Sequence, residues 1–530
     1  MLNLKGKILR NHDYSSTPLH KLVKQRGFKP EVKRKFHLLI LYLATLSSSG
    51  ASSKDLFRLI GALKSSLGVV AQVFRRIDLL VNKWGYNQVN ACKLVSRALP
   101  NCELKDLLLR MSQAIGVGLP MKDFSNIEYN KYLTSYQDEY ERAMDRLKRF
   151  CEAYSAMLTA SAFISVAMIL VSMIYGVSSA ELILTLTVVM IVTIIASLLY
   201  LIYKNAPRGR VVALDSFGPR GLKRLEQWSL RLFIISGIVA ASIALIYVTY
   251  FIYMPPLIIE NLFLSKAFPV PVSLMGLGGL LLVLGARGKR RVEQIKQMDI
   301  FYPVFIKTLG DAASISGGIN EAVKAIVYND YGPLNNLIKR LHRRLKIGIK
   351  NNVAWEFFGQ ESGSLLIREG TKVFFSAVEN GGKAKESALS IFDFSTLVLT
   401  LRKRRSQVLA LLKGLIFPLQ ATLIAVMTLV KSLMNVFLTF TLMVSSYVSL
   451  IGYIGEGVMV LFLITIALTL TFGNSLALHL VEGESLISLS YYGGILLLIT
   501  GAVMWLVDGA ATTIFSIFTG FGEEVVGLSP

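Results

Sequence analysis

Residues 154–175 read YSAMLTASAFISVAMILVSMIY, without one charged side chain. A helix of that length crosses a hydrocarbon core about 30 Å thick. Residues 181–203 repeat the pattern, and 229–253 with 268–286 form a second pair. Further spans are expected at 457–478 and 489–507. The stretch 412–452 fits either one span with an external apolar helix or two spans turned at Lys431. The expectation is an all-α polytopic membrane protein with about seven transmembrane helices, eight or nine if 434–452 and 509–520 also insert.

Composition supports this class. Of 530 residues, 53% are hydrophobic and 17% charged, and mean hydropathy is +0.53. Soluble domains carry nearer one quarter charged residues. The net charge is +23, unevenly spread. Residues 432–530 have no Lys or Arg and six acids, so residues 1–431 carry +29. Bases crowd the loops that the positive-inside rule assigns to the cytoplasm: 1–150, 204–228 and the segment from Arg287. The N-terminus is therefore expected in the cytoplasm, with no cleavable signal. Cys92, Cys102 and Cys151 fit no metal spacing and no disulfide framework, and read as idle reduced thiols.

The implied domains are a basic arm 1–34, a cytoplasmic helical bundle 35–153, four spans in 154–286, a second bundle 287–411, C-terminal spans in 412–507 and a tail 508–530. The bundles look duplicated. SSSGASSKDLFRLI (47–60) matches SISGGINEAVKAIV (314–327), pairing Gly50 with Gly317. AIGVGLPMKDF (114–124) matches AVENGGKAKESA (377–388), pairing Gly118 with Gly382. Each copy then leads through a polar helix into a span.

Chemistry-bearing motifs are missing. A phosphate-binding loop needs GxxxxGK[ST]. The nearest string, Gly381-Gly382-Lys383-Ala384, lacks the first glycine and the hydroxyl residue. His12, His20, His37, His342 and His479 are scattered. The GLGG at 276–279 suits helix packing. The expectation is no enzyme, no catalytic residue, no cofactor and no metal. The cores of the spans 154–175, 181–203, 268–285, 457–478 and 489–506 hold no ionisable group, which argues against an ion-coupled carrier. A passive transporter or channel stays open as the alternative.

One polar segment asks for a partner. Residues 331–355 (YGPLNNLIKRLHRRLKIGIKNNVAW) contain no acid. Leu334, Leu337, Ile338, Leu341 and Leu345 share one helical arc, and Lys339, Arg340, Arg343, Arg344 and Lys346 lie opposite. Like charges at i,i+4 repel by about 0.2–0.5 kcal/mol per pair. A solvated face, anionic lipid headgroups and an acidic protein surface compete as the complement. Nucleic acid does not fit, since no stacking module accompanies the charge. A second basic run, Arg402, Lys403, Arg404 and Arg405, leads into a span.

Two helical bundles with an SG-type break, a later glycine break, and four spans between the copies resemble the type II secretion system protein F family. Over about residues 35–507 the layout is similar to its archaeal branch, the membrane platforms of type IV pili and the archaellum. The resemblance implies docking on a cytoplasmic hexameric secretion ATPase, handling of pilin-like subunits, contact with membrane lipids and a homodimer. The nine bases just named would then bind the ATPase.

Overall fold

The computed structural model describes residues 27–174, 177–207, 220–253, 269–444, 456–483 and 485–526. Most of the basic arm, residues 208–219 of the basic connector, 254–268 and 445–455 lie outside the described residues. No β-strand occurs among those described. The protein is all-α and polytopic: six of the described helices are long and apolar enough to cross a membrane. The chain divides into two compact units, Met1–Asp138 with Gln297–Leu399 and Glu139–Lys296 with Thr400–Pro530.

The first unit begins with α1 (Phe28–Ser47), whose residues 38–47 are buried on every side. A helix apolar on nearly all sides belongs in a protein core or a bilayer, and this one lies in the apolar core of the unit. Around it lie α2 (Ser53–Ala62), the short α3 (Lys64–Leu67), α4 (Val69–Asn82), α5 (Gln88–Ala98), α6 (Glu103–Gly116) and the start of α7 (Met121–Ile174). The second polar stretch has the same order. The end of α10 (Pro269–Ser316) is followed by α11 (Ile319–Ile326), a 3-10 turn at Gly332–Leu334, α12 (Asn335–Lys346), α13 (Asn351–Ser362), α14 (Leu365–Glu379) and the start of α15 (Ala384–Val444).

Glycines in the left-handed region punctuate both series at matching joints: Gly50 and Gly317, Gly68 and Gly332, Gly85 and Gly348, Gly118 and Gly381. L residues with a side chain enter that region at a cost that glycine avoids. The last pair corrects the sequence alignment by one residue, because Gly381 and not Gly382 carries the positive φ. Gly382 has a different duty: a Cβ there would stand 2.7 Å from the Ala377 carbonyl oxygen and 3.2 Å from that of Thr45. It lets the second copy touch the first.

The two polar stretches share one apolar core. Polar seams also join them: Lys122 to Glu386 at 2.8 Å, His37 to Glu369 at 3.3 Å, and the Lys383 amide to Ser48 Oγ at 3.1 Å. The string that resembled a phosphate loop is thus a helix joint whose Lys383 N–H is already taken.

In the second unit, α16 (Glu456–Glu482) is central. It packs on α8 (Val177–Asn205), α9 (Arg220–Tyr253) and α17 (Ile487–Val526). Its apolar window is 67% buried, against 28% for that of α8. Close approach of α10 to α17 rests on glycine: a Cβ on Gly494 would fall 2.5 Å from the Leu282 amide nitrogen, and one on Gly278 2.8 Å from that of Leu498. A Cβ on Gly276 or Gly279 of the same GLGG run would meet nothing within 4 Å. The helix α15 continues through Lys431 to Val444, so the chain does not turn at Lys431.

Two predictions follow from this packing. Gly494→Leu forces α10 and α17 apart, a cost of about 1–3 kcal/mol or more for overpacking. Thermal melting in detergent should shift down for that variant and stay put for Gly279→Leu. Burial pushes the Cys92 thiol up to about 12, so thiolate is scarce at pH 8. Iodoacetamide should modify half-buried Cys102 in the native protein and reach Cys92 only after denaturation, as mass spectrometry would record.

Candidate docking face and the charged seams of the membrane unit

The basic helix forms where the pattern placed it, as α12. Asp330 starts it: its carboxylate accepts the Gly332 N–H at 2.9 Å and the Asn335 amide at 2.7 Å. Those bonds hold the Asp330 carboxyl below the usual carboxylate range. Leu334, Leu337, Ile338 and Leu341 are buried, and Leu345 packs against the same core. Arg343, Arg344 and Lys346 occupy the last turn, where the helix dipole favours cations.

The basic face is not wholly without an acid. Glu361 of α13 pairs with Arg344 and reaches Arg340 at 3.8 Å. Arg344 also lies 5.1 Å from the Phe357 ring centroid. Tertiary structure therefore brings an acid that the linear segment lacked. Lys339, Arg343 and Lys346 remain exposed and form no ion pair among the described residues. Next to them, Ile347 is 79% exposed. The outer face of α12 thus carries exposed bases beside one protruding apolar side chain.

The second basic run divides. Lys403 and Arg404 are exposed and Arg402 is half-buried. Arg405 is 7% exposed, and its guanidinium donates to the carbonyls of Val481 (2.7 Å), Pro207 (2.8 Å) and Leu480 (3.3 Å). This corrects the expectation for Arg405: a guanidinium committed to three carbonyls presents no surface to a partner. Its place is at the C-terminal end of α16, where carbonyls lack intrahelical donors.

Two more groups fasten the same connection between α16 and α17. Lys289 of α10 binds Glu482 at 3.1 Å and Tyr492 Oη at 2.8 Å. Glu226 of α9 accepts the Leu486 N–H at 3.1 Å. Three side chains from three other helices thus hold one short joint.

Deeper in the unit lies an uncharged network. Tyr154 Oη donates to Asn474 Oδ1 at 2.7 Å, and Asn474 Nδ2 donates to Gln420 Oε1 at 2.7 Å. Gln420 Nε2 donates to Thr471 Oγ1 at 2.9 Å and Thr500 Oγ1 at 3.1 Å. All five residues are buried, and they tie α7, α15, α16 and α17 together. A further pair, Lys431 with Asp508 at 3.3 Å, lines a small cavity with Thr428, Val460 and Met504. The sequence reading missed this pair. Its signal was the last base of the chain and the lone acid between Glu484 and Glu523.

Among the described residues no cluster of His, Cys, Asp and Glu could hold a metal ion.

No family model matches the chain, and no solved structure matches it. Two curated proteins do. Over 397 residues it is 26% identical to Flagella accessory protein J of Methanocaldococcus jannaschii, covering 74% of this chain and 68% of that protein. Over 382 residues it is 27% identical to Flagella accessory protein J of Methanococcus voltae, covering 72% of this chain and 66% of that protein. The chain thus spans about two thirds of each relative.

The fastening of the α16–α17 joint is open to test. Arg405→Gln strips buried carbonyls of a charged donor, a loss of about 2–3 kcal/mol. Arg404→Gln touches solvent alone. Melting of the purified protein in detergent should fall for the first and not for the second. In the inner network, Asn474→Leu orphans the Tyr154 hydroxyl and the Gln420 carbonyl. The cost should be about 1–2 kcal/mol, the range of interhelical hydrogen bonds in membranes, read in the same melts.

Proposed function

We propose that this protein is the membrane platform of an archaeal type IV filament machine, coupling a cytoplasmic secretion ATPase to the insertion of pilin-like or archaellin subunits. The observation that carries the reading is the similarity to two Flagella accessory J proteins over nearly three quarters of the chain. An all-α polytopic frame with a duplicated helical unit suits it.

In this reading the protein is a multi-pass component of the cell membrane, with its N-terminus and both polar stretches in the cytoplasm. The bundles 35–153 and 287–411 dock on the hexameric ATPase. The spans in 154–286 and 412–507, in contact with membrane lipids, guide subunits out of the bilayer, and two copies of the chain work as a homodimer. The chain itself hydrolyses nothing; the ATPase supplies the energy. The docking surface is the face of α12: Lys339, Arg343 and Lys346, flanked by Arg340 and Arg344, with Arg402, Lys403 and Arg404 as a second basic contact.

The test uses exposed bases that Glu361 does not hold. Lys339→Glu with Arg343→Glu leaves the buried leucines untouched and puts like charge against an acidic partner, which costs several kcal/mol. The expected result is normal membrane abundance, at least a tenfold loss of ATPase copurification and cells without filaments. Wild-type copurification and filaments from the double variant would remove α12 as the docking face. Filaments on cells lacking the gene would remove the platform reading altogether.

A further inference from the structure

The joint after α12 has a counterpart in the first copy. Residues 73–85 read VFRRIDLLVNKWG, and residues 337–348 read LIKRLHRRLKIG. Aligned on the helices and their closing glycines, Val73 and Phe74 match Leu337 and Ile338, and Ile77 matches Leu341. All six are buried. Their apolar character is what the shared fold requires.

The fold does not require the rest of the likeness. Arg75 and Arg76 match Lys339 and Arg340, and Lys83 matches Lys346. Trp84 matches Ile347, directly before the left-handed Gly85 and Gly348. Arg75, Lys83, Lys339, Arg340 and Lys346 are exposed and Arg76 is half-buried. Trp84 is 70% exposed and Ile347 79%. A large apolar side chain left in water contributes nothing to the core, and a base beside it adds nothing to packing. Each copy nevertheless offers bases with one protruding apolar residue. The first copy also carries Asp78, bound by the Asn82 amide at 2.6 Å. The second adds Arg343 and Arg344 where the first has Leu79 and Leu80.

We infer that the duplicated unit docks bivalently, its two like faces meeting two copies of one acidic, apolar-notched surface on a symmetric oligomer. Trp and Arg are favoured anchors of protein interfaces, and closed oligomers repeat each surface by symmetry. Two matched faces on one chain gain from such a partner what a single face cannot: the second contact becomes intramolecular, raising avidity by about 10²–10⁴-fold. The inference rests on the docking reading above and adds the first copy, Arg75, Lys83 and Trp84, to the surface.

The experiment uses the full chain in nanodiscs and the ATPase in two forms, assembled ring and dispersed subunits, with binding measured in solution by fluorescence. Arg75→Glu with Lys83→Glu disables the first face, and Lys339→Glu with Lys346→Glu the second. Each pair should weaken binding of the ring about 100-fold and of dispersed subunits only about twofold. The four changes together should abolish both. Trp84→Ala and Ile347→Ala, which alter only protruding side chains, should each repeat the loss on the ring. If the first-face variants bind the ring as wild type does while the second-face variants lose it, bivalent docking is wrong and single-face docking stands. If neither set weakens binding, the docking reading itself falls.

Discussion

A backbone in hydrocarbon has no water to bond, so each N–H and C=O must find a partner within the protein. The second unit is built on that constraint. Its long apolar stretches can only be helices, and the difficulty moves to the helix ends. The joint between α16 and α17 shows the solution. Arg405 takes the carbonyls that α16 leaves over, Glu226 takes the Leu486 N–H, and Lys289 neutralises Glu482. Each clamp comes from a different helix, so satisfying the backbone also fixes which helices are neighbours.

Inside the same unit the spans attract one another without a hydrophobic driving force, since lipid is as apolar as leucine. Two other means replace it. Glycines 278 and 494 allow backbones to approach within van der Waals contact. The amide network of Asn474 and Gln420 makes one rotation of each helix better than its neighbours. Both act over short distances, so both specify a pairing rather than merely favour aggregation.

The first unit obeys different physics. One shared apolar core holds its helices together. Left-handed glycines mark several helix joints at matching places in the two polar stretches. Because the core needs only one stripe of α4 and of α12, their outer faces are free to carry charge, with Trp84 and Ile347 protruding beside them. Charge there does not conflict with stability: the residues that fold the helix and the residues that face outward are different residues.

Periodicity and uninterrupted apolar length are local quantities, and they determined the all-α class, six of the expected spans and the amphipathic α12 from the sequence alone. The matching joints at Gly50 and Gly317 were also legible. The repeat VFRRIDLLVNKWG against LIKRLHRRLKIG was equally present in the letters, hidden by one inserted residue. Pairings at long range were not legible. No spacing announces that Arg405 ends on Val481, that Glu361 shields Arg344, or that Lys431 meets Asp508 across 77 residues. Nor could composition tell an exposed arginine from a buried one within the run 402–405. Those outcomes depend on which helices become neighbours, and that is decided by shape and by unsatisfied polar groups finding one another, only once the tertiary structure has formed.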